Sequence, residues 1–304
     1  MKNTYLFGPS GFLGPAILEK SKKIVAVGRS KPPFYIKNRF IKIKSFENLN
    51  ALKKEKIEKV IFCIGNSNHH AFLNKEDLHL SLRYNVLPLV KLLDFFEKNN
   101  FKIKKVVTFT GALLYKGKNF NIPTKENFTL DGYQNKYIFS KYLAEQVTNF
   151  FSKKFPIINI RLSNIYGPTI HERPDLLLSI FRQILKGKKT ISIWNKKPIR
   201  DFVHTSDVSD AIIKLLNSKF TGHINVGYGK SYSIKKVTEE IEKITNIKIL
   251  DKKINVSGPI NYKHSIAKLK KVTNFKPSID IKTGLKKTLD RIKYLKKRQH
   301  EKKN

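Results

Sequence analysis

The chain has 304 residues, 40% of them apolar, and carries 61 basic side chains against 23 acidic ones, a formal charge of +38. That length can bury the core of one large domain or of two that share a cleft. No run of about eighteen apolar residues is present to span a membrane. Met1-Lys2-Asn3-Thr4 lacks the apolar core of a signal peptide. The single cysteine, Cys63, excludes an internal disulfide or a thiolate metal site, so a cytoplasmic location is expected. The lysines are spread along the whole chain. This points to a general over-use of Lys and Asn rather than a stripe built for nucleic acid, and only the tail from Lys282 to Asn304 is locally dense.

Thr4-Tyr5-Leu6-Phe7 reads as a short buried strand running directly into Gly8-Pro9-Ser10-Gly11-Phe12-Leu13-Gly14. Three glycines at intervals of three suit a tight turn, a close approach to a pyrophosphate, and a helix lying against a sheet. The helix through Ala16-Ile17-Leu18 would aim its unpaired N–H groups at those phosphates. Gly8, Ser10, Gly11, Phe12, Leu13 and Gly14 are therefore expected to hold a dinucleotide. Ile24-Val25-Ala26-Val27 completes a βαβ unit and is followed by Gly28-Arg29-Ser30. An acidic residue there would accept hydrogen bonds from a ribose. Arg29 suits a 2′-phosphate instead, which favours NADP, with NAD second.

Residues 39–44 predict a strand, Glu47 to Lys59 an amphipathic helix, and Val60 to Ile64 a parallel strand buried on both faces. Gly65 follows at the carboxyl edge of the sheet, where it is expected to border the cofactor. His69 and His70 are adjacent, face apart, and lack a third ligand, so no metal is expected. A long helix is read over Leu78 to Asn99, with Asn85 in its apolar stripe as either a tether or a site residue. Lys105 to Thr110 form the next strand, ended by Gly111. From about Asp131 a helix carries Tyr133, Tyr137 and Lys141. The last two are four apart and share a face, so the ammonium can lower the phenol's pKa and make it a proton donor or acceptor. Further strands are read over Ile157–Leu162, Thr190–Trp194 and His223–Val226, with a helix near Leu176–Leu185 and another starting near Ser206.

Taken in order, Gly8-x-x-Gly11-x-x-Gly14, Tyr137-x-x-x-Lys141, Arg161-Leu162-Ser163-Asn164-Ile165-Tyr166-Gly167-Pro168 and Arg200-Asp201-Phe202-Val203-His204 carry a likeness over nearly the whole length. The chain resembles the extended short-chain dehydrogenase/reductases, specifically the NAD(P)-dependent epimerase/dehydratase group that acts on nucleotide sugars. The resemblance implies an α/β fold, a doubly wound parallel Rossmann sheet with a smaller C-terminal α/β lobe. Residues 1–165 with about 197–228 would bind the dinucleotide, and 166–196 with 229–304 the substrate. It implies Tyr137 as acid/base, Lys141 on the nicotinamide ribose, and Asn164 and Arg200 on the nucleotide sugar. It also implies a homodimer paired through two helices of each subunit.

Counting back from Tyr115, the family's catalytic Ser or Thr falls on Gly111, which leaves Thr110 as the nearest hydroxyl. Lys44-Ser45 stands where an acidic residue is expected after the third strand. Two functions are thus open. One is reduction or epimerisation of a nucleotide sugar by hydride transfer, feeding surface polysaccharide synthesis. The other is a catalytically impaired dinucleotide-binding protein that senses cofactor or binds nucleic acid.

Overall fold

The computed structural model describes residues 1–66, 77–116, 123–169, 175–254 and 261–301. His69 and His70 lie outside them. Among the described residues, seven parallel strands form the central sheet: β1 (Thr4–Phe7), β2 (Val25–Gly28), β3 (Phe40–Lys42), β4 (Lys59–Phe62), β5 (Lys105–Gly111), β6 (Ile157–Leu162) and β10 (Gly222–Val226). Their order is β10-β6-β5-β4-β1-β2-β3. The order reverses between β1 and β4, so the crevice beyond their carboxyl ends is where a ligand of an open α/β sheet binds.

Alternation along β1 explains the two layers of core. Leu6 points to one face and joins Ile17 and Leu18 of helix α1 (Gly14–Lys20). Tyr5 and Phe7 point to the other face, towards α2 (Leu78–Asn85), α3 (Leu87–Lys98) and α4 (Lys136–Phe151). Helices on both faces let the strands carry apolar side chains towards both sides. A third apolar cluster lies in the C-terminal part. It gathers α5 (Leu176–Leu185), β8 (Thr190–Ile193), α7 (Ile234–Thr245) and α9 (Ile281–Glu301) around Tyr166 and Phe202. Between the two parts runs a small sheet of β7 (Asn164–Tyr166), β9 (Ile199–His204) and β11 (Ser231–Ser233), in the order β11-β9-β7. β12 (Lys248–Asp251) pairs in parallel with β8, and α6 (Thr205–Leu216) and α8 (Ala267–Thr273) cover the β10 side of the main sheet.

Three expected helices come out differently. Residues 47–59 form no α-helix, only a 3-10 turn at Asn50–Leu52. Ser45 Oγ takes the Glu47 N–H and Asn48 Oδ1 takes the Asn50 N–H, side-chain bonds that compete with a helical ladder. The long helix from Leu78 breaks into α2 and α3 at Val86, because Pro88 has no N–H to donate to the carbonyl four residues back and is tolerated only in the first turn of a new helix. The helix expected from Asp131 starts at Lys136, where Asn135 Oδ1 caps the Ile138 N–H at 2.9 Å. Tyr133 therefore lies outside α4 and is exposed.

Candidate active site

At the carboxyl end of β1, Gly8 has a φ of +91°, and a Cβ there would press on the Cys63 backbone at 3.0 Å. A Cβ on Gly14 would stand only 2.3 Å from the Gly8 carbonyl oxygen. Neither position has room for a side chain, so the turn is drawn tight against β4 and α1. Gly11 is exposed and meets only the Gly8 oxygen at 3.6 Å. This is a cradle of backbone with an open outer face, which fits a pyrophosphate. Pro9 packs on Gly28 at the end of β2, where a Cβ would meet its ring at 2.8 Å, and Arg29 follows, exposed, beside the turn.

Gly65 ends the loop after β4. A Cβ on it would stand 2.7 Å from Lys141 Nζ and 3.0 Å from Asn85 Oδ1, so the Lys141 ammonium is held directly over this backbone. Asn85 is a tether: its Oδ1 accepts the Asn66 N–H at 2.8 Å while its Nδ2 donates to Ser140 Oγ at 3.0 Å. It joins the end of β4 to α4, and thereby fixes the helix that carries Tyr137 and Lys141.

These residues open into a cleft of about 720 Å³. Gly11, Phe12, Leu13, Gly65, Thr110, Gly111, Tyr137 and Lys141 line one side, and Asn164, Trp194, Arg200 and Tyr262 the other. The cleft thus brings together the expected cofactor turn, the Tyr–Lys pair and the expected substrate residues. Gly8, Ser10 and Gly14 shape the turn from behind it.

On the substrate side, Tyr262 donates its hydroxyl to Asn164 Oδ1, and the Arg200 guanidinium lies 5.5 Å from the centre of the Tyr262 ring. Burial raises the Tyr262 phenol's pKa and lowers that of Arg200. Next in sequence, Asp201 is fully buried and takes the N–H groups of Tyr228 at 2.8 Å and Gly229 at 3.0 Å, pinning the turn after β10.

Thr110 is turned away from the cleft's centre. Its hydroxyl donates to Glu145 Oε2 at 3.2 Å. Glu145 follows Lys141 by one helical turn and is buried. It also accepts from Arg161 Nη2 at 2.5 Å and from Asn159 Nδ2 at 2.8 Å. Sequence reasoning missed Glu145 and Tyr262. The first was signalled by its spacing of four from Lys141 and by an arginine inside an apolar strand. Nothing marked the second.

The reversed strand order, the glycine cradle and the helix-borne Tyr–Lys pair on a shared cleft define a doubly wound dinucleotide-binding enzyme. The chain belongs to the NAD dependent epimerase/dehydratase family, whose sequence profile matches residues 4–227. Among relatives, UDP-N-acetyl-alpha-D-glucosaminuronate decarboxylase of Bacillus cytotoxicus is 26% identical, over 95% of this chain and 97% of that protein. The UDP-glucose 4-epimerase of Thermotoga maritima, solved with UDP-glucose, superposes with a TM-score of 0.85 at 18% identity, covering 96% of this chain and 99% of that one. MoeE5 in complex with UDP-glucuronic acid and NAD superposes with a TM-score of 0.81 at 20% identity, covering 98% and 99%. At such identities the superpositions speak for the fold. No described helix is long and apolar enough to cross a membrane, and no His, Cys, Asp or Glu group among the described residues could hold a metal ion.

Proposed function

We propose that the chain transfers a hydride between a ring carbon of a nucleotide-activated sugar and a nicotinamide dinucleotide, reducing a keto-sugar or inverting a carbon. One observation carries this reading: Gly11 to Leu13, Tyr137 with Lys141, and Asn164 with Arg200 line a single cleft. Residues 1–165 with about 197–228 form the dinucleotide part, and 166–196 with 229–304 the substrate part.

In this reading the backbone of Gly8 to Gly14, Ser10 included, seats the pyrophosphate. Lys141, held over Gly65, bonds the nicotinamide ribose and keeps positive charge beside Tyr137. The nicotinamide, when bound, supplies or accepts the hydride. Tyr137 gives its proton to the sugar oxygen as the carbon is reduced, and takes it back in the reverse direction. Arg200 grips a phosphate of the substrate and Asn164 orients it. Thr110 serves indirectly, through its bond to Glu145. Arg29 favours NADP over NAD. The exposed Leu87 on α3 and Phe150 on α4 support pairing of two copies through these helices. A place in surface polysaccharide synthesis and in the cytoplasm fits this chemistry.

Turnover tests the reading. The protein is incubated with NADPH or NADH and a panel of nucleotide keto-sugars, and cofactor oxidation is followed by absorbance. Tyr137→Phe should lower kcat by about 10²- to 10⁴-fold while dinucleotide binding persists. Equal rates from the two forms would remove Tyr137 from the proton step.

A further inference from the structure

β8 and β12 pair in parallel as a sheet of two strands, with Ile191 opposite Ile249. Alternation sends Ile191, Ile193 and Ile249 into the core of the C-terminal part. On the outer face Thr190, Ser192 and Lys248 suit water, but Leu250, opposite Ser192, is apolar and 40% exposed. Trp194, two residues past Ser192, is 54% exposed. Ile254, whose N–H donates to the Trp194 carbonyl at 2.8 Å, is 46% exposed. Single exposed apolar residues are ordinary, but these three gather at one small sheet. Charge gathers there too. Residues 186–197 and 246–254 hold eight lysines, and their one acid, Asp251, already accepts the N–H groups of Lys196 and Lys253. Lys188, Lys189, Lys248, Lys252 and Lys253 are all exposed. Lysines that look evenly spread along the sequence are thus concentrated by one strand pairing.

We propose that this face docks on the surface of an anionic phospholipid bilayer, with Leu250, Ile254 and the Trp194 ring entering the interface and the lysines lying among the headgroups. The inference does not rest on the reaction proposed above. A second copy of the chain paired through the same face would set lysines against lysines. Nucleic acid would satisfy the lysines, but its bases stack on aromatic rings and leave Leu250 and Ile254 in water. A bilayer answers every feature. Its anionic headgroups attract clustered lysines, an indole settles at headgroup level, and aliphatic carbons gain by leaving water. Ser192 and Trp194 also line the cleft, so docking brings the cleft's rim to the headgroup layer.

Trp194 is the only tryptophan in the chain, so tryptophan emission reports on this face alone. The full protein, without nucleotide or sugar, is titrated with phosphatidylcholine vesicles that contain or lack phosphatidylglycerol. Anionic vesicles should shift the emission to the blue and sediment the protein, and brominated acyl chains should quench it; neutral vesicles should do neither. Leu250→Ser combined with Ile254→Ser keeps every charge and should weaken vesicle binding by about tenfold or more. Lys252→Gln with Lys253→Gln should cost about as much, whereas Lys286→Gln with Lys293→Gln on α9 removes equal charge and should cost about threefold or less. Unshifted wild-type emission would overturn the inference without recourse to any variant. So would an unchanged affinity in the Leu250 and Ile254 double variant, or equal losses from the two lysine pairs, which would reduce the effect to general charge. A shift produced by a single-stranded oligonucleotide and not by vesicles would assign the face to nucleic acid instead.

Discussion

Arg29 stands exposed one residue beyond Gly28, and the missing side chain of Gly28 is what lets the Pro9 ring of the glycine turn pack there. A guanidinium so placed can grip a phosphate with two parallel bonds but offers no acceptor to a ribose hydroxyl. Arg29→Ala should therefore weaken NADPH binding by about 10- to 100-fold, of the order of one or two charge-assisted hydrogen bonds, and NADH by far less. Fluorescence titration with both nucleotides checks this, and equal losses would end the case for a 2′-phosphate contact. At this scale the sequence was most readable where chemistry follows spacing. Glycines three apart and a tyrosine four residues before a lysine need only local geometry to be recognised. Tyr262 lies 98 residues from the Asn164 it bonds and belongs to no periodic element, so no local pattern could reveal it.

The strip formed by β5 and β6 beneath α4 is unusual for a buried parallel pair, because its helix-facing positions are polar. Thr108 is in register with Asn159 and Thr110 with Arg161. Thr110, Asn159 and Arg161 converge on Glu145 of α4, and Thr108 joins them through Asn159. Alternation in Thr108-Phe109-Thr110 and Asn159-Ile160-Arg161 announces such a face, but the charge that balances it sits on another element. Glu145→Gln should cost about 3–5 kcal/mol, since it leaves Arg161 buried without its counter-charge. Replacing both residues by Met should recover part of that loss. Urea denaturation of the wild type and the two variants measures it, and a loss below about 1 kcal/mol for Glu145→Gln would show that the pair does little for stability. The element boundaries that sequence misjudged share one cause. In residues 47–59, at Val86 and before Asn135, apolar spacing imitates a helix while proline or local side-chain bonds forbid it.

At the scale of the whole molecule, two histidines among the described residues are buried where the main sheet meets the C-terminal part. His204 caps α6 through Nδ1, which accepts the Ser206 N–H at 3.2 Å, and packs on the Tyr166 ring. His264 lies between the rings of Tyr115 and Tyr262. Burial lowers the pKa of His204 to about 4 and of His264 to about 3, from the usual 6.5. Both stay neutral when folded while the unfolded chain takes up protons. Their contribution is therefore present above pH 6.5 and lost as pH falls through the window to about 4 and below. Asp201 acts the other way. Burial raises its pKa from 3.8 to about 6, so its contribution is present below 3.8 and fades as pH rises through about 6. Two groups outweigh one, and stability should drop by on the order of 3 kcal/mol between pH 7 and 4.5. Denaturation midpoints at both pH values check this. His264→Phe should flatten the slope, and coincident wild-type midpoints would refute the account. The overall architecture was legible because a parallel sheet writes continuous apolar runs into its strands. The C-terminal part was less so, since its short strands β7, β9 and β11 come together from distant segments. That small sheet has a mechanical consequence. β6 of the main sheet passes into β7 through the single residue Ser163, and β7 is laced to β9 from Asn164↔Phe202 to Tyr166↔His204. Asn164 on β7 and Arg200 on β9 are thereby tied to one small sheet, so a shift of that sheet carries the two residues together.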